Sequence, residues 1–393
     1  EYVSKSTVSS FTISFVIDFT TANFSYGIVV CDISNIGSIA HIEHTGSSYD
    51  IVKDIDFLVS GVVEYVDFLQ QEETLLLCGD FPFILGLSPG GALKWGMRLN
   101  SKVARIDTSL VADAGYIALS TFGNETYIID PRGGVIEMFT FGYYIYGLLV
   151  DDFDGDGDYE IFVGDAGGYG HVIDGGAIYN TSLWETITDA CKVDFDGDEY
   201  LDIAVGLISN KVTIIEYDGS NINVLDSYNT QGIPVRSAWG DYNGDNALDC
   251  VLVVANLSAG DNTGAVSLYT IDKAFGFSQV DIDFSDVQWY NEPSNPEPRV
   301  ILQDITGDGK DDVVTGLRDR NGGYARIYFI DLNDISKGVK YYDVPGDVYV
   351  FSVASVYANR GGINDIVCGL SNGQALVFLD DFFHETTIEP DKV

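Results

Sequence analysis

Short apolar runs, each closed by a glycine or a polar residue, recur along the chain: IVVCD (28–32), LLLCG (75–79), IFVG (161–164), IAVG (203–206), VLVV (251–254), VVTG (313–316) and DIVCG (365–369). Runs of this length between turn residues predict strands buried on both faces rather than helices. Further strand-length segments flank them. In one stretch they read ACKVDF, LDIAVGLIS, KVTIIEYDG and INVLDSYN, which predicts four successive strands. No helical periodicity extends beyond a single turn. The pattern returns about every 49 residues, a spacing that fits a propeller blade. The expected fold class is therefore all-β: an eight-bladed β-propeller of four-stranded antiparallel blades, with seven blades as the alternative. The single domain 1–393 divides into blades at about 11–57, 58–100, 101–142, 143–184, 185–230, 231–287, 288–345 and 346–393. A lone four-stranded sheet cannot bury both faces, so such units pack face to face around an axis. The N-terminal segment YVSKSTVSS is expected to complete the last blade.

Directly before four of the apolar runs the chain is crowded with carboxylates. The segments are DFDGDGDYEIFVG from Asp152, DFDGDEYLDIAVG from Asp194, DYNGDNALDCVLV from Asp241 and DITGDGKDDVVTG from Asp304, at intervals of 42, 47 and 63 residues. Counted from its first aspartate, each loop carries oxygen-bearing side chains at positions 1, 3, 5 and 9. The first offers Asp152, Asp154, Asp156 and Glu160, and the second Asp194, Asp196, Asp198 and Asp202. The third offers Asp241, Asn243, Asp245 and Asp249, and the fourth Asp304, Thr306, Asp308 and Asp312. Position 7 varies (Asp158, Tyr200, Ala247, Lys310), as expected where only a backbone carbonyl is used.

Like charges at this density repel unless a cation sits among them. Oxygen-only ligation from alternate residues of a tight loop suits calcium, which accepts six to eight oxygens at flexible angles. Magnesium prefers a strict octahedron and keeps its waters, and zinc calls for His or Cys, which these loops lack. An EF-hand needs a bidentate Glu at position 12 and a following helix. Here position 12 is Val163, Val205, Leu252 or Thr315, and a strand is expected to follow. Asp-Gly pairs favour turns without any metal, so one such loop would mean little; four in register favour calcium. About four ions are expected, in blades four to seven. The first two loops offer four carboxylates each and the last two only three, so their affinities should differ. Glu199 and Asn246 stand at position 6 where the other two loops have glycine, which should strain those turns.

Charge narrows the partners. The chain carries 60 acidic and 20 basic residues, for a net charge of −40, which argues against nucleic acid and anionic membrane. No apolar stretch is long enough to span a bilayer, and no signal peptide is visible. The five cysteines (Cys31, Cys78, Cys191, Cys250, Cys368) are odd in number and show no Cys-x-x-Cys spacing. Cys31, Cys78 and Cys368 lie in apolar runs and read as small buried residues, and a disulfide framework is not expected. His41 and His44 fall three apart on an expected strand, so they face opposite sides and cannot share a metal. His171 follows a Gly-rich turn and reads as structural, and with His384 these make up all four histidines. No nucleophile motif or phosphate-binding loop is present. Asn23, Asn124, Asn180 and Asn256 head N-x-S/T sequons, which permit glycosylation in a secreted chain. Two insertions break the rhythm, NLSAGDNTGAVS (256–267) and DVQWYNEPSNPEPRV (286–300). The second is expected to be a long loop, with Trp289 and Tyr290 either tucked over the blade edge or exposed to a partner.

The repeated D-x-D/N-x-D-G-x-x-D followed by an apolar strand resembles the FG-GAP repeat, best known from integrin alpha-chain propellers. The match is good from Asp152 to Gly316 and elsewhere rests on rhythm. The resemblance implies that each loop joins the first two strands of a blade and holds calcium on one face of the ring. The Phe-Gly and Gly-Ala-Pro segments that name the family are not recognisable at their places in the repeat, so integrin-type heterodimer assembly is not implied. LSPGGALKWGM (87–97), IDPRGGVIEMF (129–139) and VIDGGAIYN (172–180) also resemble quinoprotein-like repeats, which occur in eight-bladed rings. The leading functional expectation is a non-catalytic, calcium-stabilised module at the cell surface or outside the cell, binding protein or glycan. The alternatives are a polysaccharide lyase-like or quinoprotein-like enzyme, for which no acid/base pair stands out, and a self-assembling protomer of a fibre or coat. The tyrosine-rich FGYYIYG (141–147) and KYYDV (340–344) would serve that last role or form ordinary strands.

Overall fold

The computed structural model places strands from Gly27 to Lys392 and describes side chains chiefly between residues 94 and 350. Residues 1–26 and several loops, including 258–262, 291–299, 357–364 and 379–390, lie outside the described residues. YVSKSTVSS, Asn23, Glu199 and His384 fall among these, as do the side chains of Cys31, Cys78, Trp289 and Tyr290.

The described chain is strands and turns throughout. Strands β1–β3 form a three-stranded sheet between 27 and 56. Four-stranded antiparallel meanders follow at β4–β7 (63–98), β8–β11 (103–140), β12–β15 (145–182) and β16–β19 (187–229). After them come β20–β23 (233–280), β25–β28 (300–345) and β29–β32 (350–392). These seven four-stranded groups with the first sheet give eight, counted among the described residues. The fold is an all-β propeller of four-stranded antiparallel sheets, as the strand pattern predicts.

Position within a sheet explains the hydropathy pattern. The second strands, β13 (Glu160–Asp165) and β17 (Asp202–Leu207), are buried at every residue, because neighbouring sheets cover both faces. The fourth strands, β11 (Val135–Thr140), β15 (Ala177–Ser182) and β19 (Ile222–Asn229), carry only half-buried and exposed residues at the rim. Leu149 and Phe162 of one sheet pack on Ile187 and Val205 of the next. Comparable clusters seat each described sheet from β4–β7 onward on its neighbour. The glycine that closes the second-strand run is where the following sheet's first strand seats. A Cβ on Gly164 would lie 2.7 Å from Ile187, and one on Gly206 would lie 2.8 Å from Pro234. The contacts continue past the last sheet. β29 (Val350–Val356) lies against β26 (Asp312–Asp319) on one side and β4 (Val63–Asp67) on the other, while β1 (Gly27–Cys31) touches β30 (Asp365–Leu370).

Two features depart from expectation. Part of the segment read as a long loop is a strand, β24 (Val287–Tyr290). It pairs with β22 (Thr263–Asp272) through Thr263 and Gly264, and with β26 through Asp319 and Arg318, joining two groups into one nine-stranded sheet. Backbone pairing of isolated dipeptides leaves no periodic signal in sequence. The second departure is a disulfide between Cys191 and Cys250. These cysteines lie 59 residues apart on β16 (Ile187–Val193) and β21 (Asp249–Leu257), strands of adjacent sheets that pack face to face. Cys368 is free and buried, as expected of it.

Candidate metal centre

Each acidic loop connects the first strand of its sheet to the second, and the second strand begins at or beside position 9. Strands β12 (Ile145–Asp151) and β13 flank the first loop, and β16 and β17 the second. β20 (Ile233–Gly240) and β21 flank the third, and β25 (Val300–Gln303) and β26 the fourth. The buried strand start carries the position-9 carboxylate inward. Glu160, Asp202, Asp249 and Asp312 are all buried.

The four loops share one hydrogen-bond pattern. The position-9 carboxylate accepts from the backbone N–H of position 2: Phe153 to Glu160 at 2.8 Å, Phe195 to Asp202 at 2.9 Å, Tyr242 to Asp249 at 3.2 Å and Ile305 to Asp312 at 3.1 Å. The position-5 carboxylate accepts from the N–H of position 7, at 2.8 Å in Asp156, 2.9 Å in Asp198 and Asp245, and 3.0 Å in Asp308. Position 3 accepts from position 5 at 3.1 Å in Asp154, 3.2 Å in Asp196 and 2.9 Å in Asn243. Position 1 closes the turn, with Asp152 accepting from Gly157 at 3.1 Å and Asp304 from Gly309 at 3.0 Å. One oxygen of most carboxylates is spent on folding the loop, and the other is left for something else.

That second oxygen distinguishes the loops. Glu160 Oε1 and Asp152 Oδ1 are buried without a partner in the first, and Asp312 Oδ1 and Thr306 Oγ1 in the fourth. In the third, Asn243 Nδ2 donates to Asp249 Oδ1 at 3.2 Å, so the amide partly supplies what an ion would. Ligand oxygens of Asp152, Asp154 and Glu160 lie within 4.8 Å of one another, as do those of Asp194, Asp196 and Asp198. An all-oxygen donor set with buried orphaned acceptors fits a hard divalent cation.

Electrostatics point the same way. Burial, reinforced by the neighbouring acids, pushes the carboxyls of Glu160 and Asp249 up to about 8 and those of Asp202 and Asp312 up to about 7 in the metal-free chain. Burial raises Asp154 as well.

Several participants have no sequence signal. Directly across the ladder from Glu160 stands Asp174, at the end of β14 (Tyr169–Asp174). The same register step places Glu216, Asp272 and Asp331 by the other loops, where their charges act on Asp202, Asp249 and Asp312. The third-strand acid lies at no fixed spacing from its loop, so only strand register reveals it. Tyr217 Oη donates to Asp174 at 2.9 Å, and Tyr242 Oη donates to Asp272. Position 7 is more than a carbonyl. The Tyr200 ring covers Gly155 of the preceding loop, and the Lys310 stem covers Gly244 of its predecessor. Position 8 joins loops too: Asp194 N–H donates to Leu248 O at 2.8 Å, and Asp241 N–H to the Asp311 carboxylate at 2.9 Å. At position 6, Asn246 takes the left-handed conformation, with φ of 65°, that glycine would take at less cost.

Behind the first two loops lies a buried ammonium. Lys192 Nζ contacts Asp151 at 2.8 Å, Asp107 at 3.1 Å and the Val150 carbonyl at 2.8 Å, over the Trp239 ring. The charges of Asp107 and Asp151 outweigh burial and hold Lys192 above the usual lysine range.

No protein-family model and no curated protein sequence matches this chain. Solved structures do. A structure of BBS1N in complex with ARL6DN, soaked with lead, aligns with a TM-score of 0.53 at 14% identity, over 79% of this chain and 91% of that one. Its mercury-soaked counterpart aligns at 0.54 and 13%, over 81% and 92%. BamB from Moraxella catarrhalis aligns at 0.49 and 12%, over 91% and 92%. At these identities the likeness is one of fold.

Proposed function

We propose that this chain is a protein-binding propeller module, acting outside the cell or at its surface, whose four acidic loops hold calcium. The observation that carries the metal reading is the set of buried, unpartnered oxygens in loops where most carboxylates already have one oxygen committed: Glu160 Oε1, Asp152 Oδ1 and Asp312 Oδ1. Leaving such acceptors unmade costs about 1–3 kcal/mol each, more for charged groups, and a bound cation removes that cost. The ions would be structural, because loop side chains and a position-7 carbonyl supply most of a calcium coordination sphere. Millimolar calcium outside cells would fill even modest sites, and the Cys191–Cys250 disulfide is the kind that persists in an oxidising compartment. The binding role is supported by the fold and by the BBS1N propeller having been solved with a protein partner.

Native mass spectrometry and thermal melting, with calcium and with a chelator, test the metal reading. About four ions bound and a large fall in melting temperature on chelation are expected. A chain that binds no ion and melts identically in both conditions overturns it.

A further inference from the structure

The opposite ends of these strands carry a different surface. In an up-and-down meander, second-to-third-strand turns and sheet-to-sheet connections lie together, at the far end from the acidic loops. Here they form a hydrogen-bonded row. Phe141 N–H donates to Asn124 O at 2.9 Å, Ala166 to Tyr144 at 2.8 Å, Leu183 to Gly168 at 2.9 Å and Ile208 to Thr186 at 3.0 Å. Along this row Phe122, Tyr143, Tyr144, Tyr169, Trp184 and Ile208 are all exposed, Trp184 by 86%.

Trp184 also has a φ of 62°, a left-handed conformation that bulky residues rarely adopt. Strain of this kind persists where the surroundings impose it, and such sites cluster at ligand clamps. The charged side chains in these turns and at the strand ends beside them are Arg98, Lys102, Glu125, Asp165, Glu185 and Lys211, three of each sign, on a chain whose net charge is −40. The row is thus both aromatic and locally neutral. Its rings already show affinity for cations, with Lys102 Nζ 4.9 Å from the Phe122 centroid. Next to Trp184 in the same connection, Glu185 Oε2 is buried without a hydrogen-bond partner.

We propose that this face docks a protein partner that surrounds an apolar contact with arginine or lysine side chains. The proposal rests on the protein-binding reading above and adds the face and the chemistry of the partner. Tyr, Trp and Phe, with few charges, mark the energetic centres of interfaces. Aromatic faces attract cations, Arg above all. The field of a −40 chain steers a basic protein inward and repels an acidic one, including a second copy of itself. A neutral sugar gains nothing from that field. With calcium in the acidic loops, the carboxylates at the other end are occupied and compete less for a basic partner.

The test uses a twelve-residue arginine–leucine peptide as probe against the full, calcium-loaded chain, read by fluorescence polarisation at about 150 mM salt. Trp184→Ser and Tyr144→Ser, made separately and each matched to the parent in melting temperature, should each weaken binding about tenfold or more. Val224→Ser, at an exposed apolar site on the rim strand β19, should leave it unchanged. Equal binding by all four proteins would reduce the effect to diffuse electrostatics and overturn the proposal. So would no binding, a neutral β-1,4-linked hexasaccharide that binds through Trp184, or a dimer in sedimentation that Trp184→Ser dissolves. Ion counts on the same samples separate failure of this proposal from failure of the calcium reading.

Discussion

Replacing Glu160 by glutamine should have opposite effects with and without metal. In the metal-free chain the Glu160 carboxyl is buried and pushed up from 4.5 to about 8, with burial the leading cause. A folded-state pKa above the unfolded one means that ionisation opposes folding: stability is full below about 4.5 and is lost as pH rises toward about 8. Linkage over that interval gives a penalty of about 4 kcal/mol at pH 7.5 and about 1.4 kcal/mol at pH 5.5, as order-of-magnitude upper values. Glutamine carries no such penalty. Its carbonyl can keep the bond from Phe153 N–H, now 2.8 Å, and its amide can donate to Asp152 or Asp154, whose oxygens lie within 4.8 Å. At about 2.1 cal/mol/K of unfolding entropy per residue, a gain of 2–4 kcal/mol in a chain this size raises the melting temperature by roughly 2–5 °C. Glu160→Gln should therefore melt above the parent in chelator at pH 7.5, and the gap should shrink at pH 5.5. In saturating calcium the order should reverse, because the variant has lost a charged ligand. Scanning fluorimetry at both pH values, with and without calcium, reads all of this. A variant that melts below the parent in chelator at pH 7.5, or gains as much from calcium, would refute the reasoning.

Other perturbations follow from the same geometry. Lys192→Met leaves Asp107 and Asp151 facing each other in a buried site, and denaturant titration should show a loss of about 3–5 kcal/mol. Gly155→Ala places a Cβ against the Tyr200 ring at a φ of 72°, and should cost about 1–3 kcal/mol; adding Tyr200→Ala should recover the steric part of the loss and leave the backbone part. Cys191→Ala with Cys250→Ala should lower stability by about 2–4 kcal/mol, and alkylation of the denatured, unreduced parent should label Cys368 while sparing that pair.

The fold was legible because sheet position writes itself into hydropathy. A second strand such as IFVG is apolar throughout because both its faces are covered, and a fourth strand such as β15 mixes polar and apolar residues, none of them buried, because it lies at the wet rim. The loop acids at positions 1, 3, 5 and 9 were legible because their spacing is local and repeated. Residues that reach the site through strand pairing were not. Asp174 stands opposite Glu160 only because of the register of β13 and β14, and nothing within a short window encodes that pairing. The Cys191–Cys250 link depends on how two sheets stack, and β24 on two brief ladders to strands of different sheets. Trp184 was invisible as a feature because neither its exposure nor its left-handed backbone follows from its neighbours in sequence.

The short strand β24 bears on how the ring can move. Sheets that meet only through side chains can part at their seams, letting water in without breaking backbone pairing. Between the groups β20–β23 and β25–β28 that freedom is gone, because Thr263 and Gly264 on one side and Asp319 and Arg318 on the other are tied through the same four residues. The Cys191–Cys250 disulfide pins β16–β19 to β20–β23 as well, so breathing of the ring must be concentrated at the remaining seams. The two groups should open as one slab, and their amides near β24 should exchange hydrogen together and late.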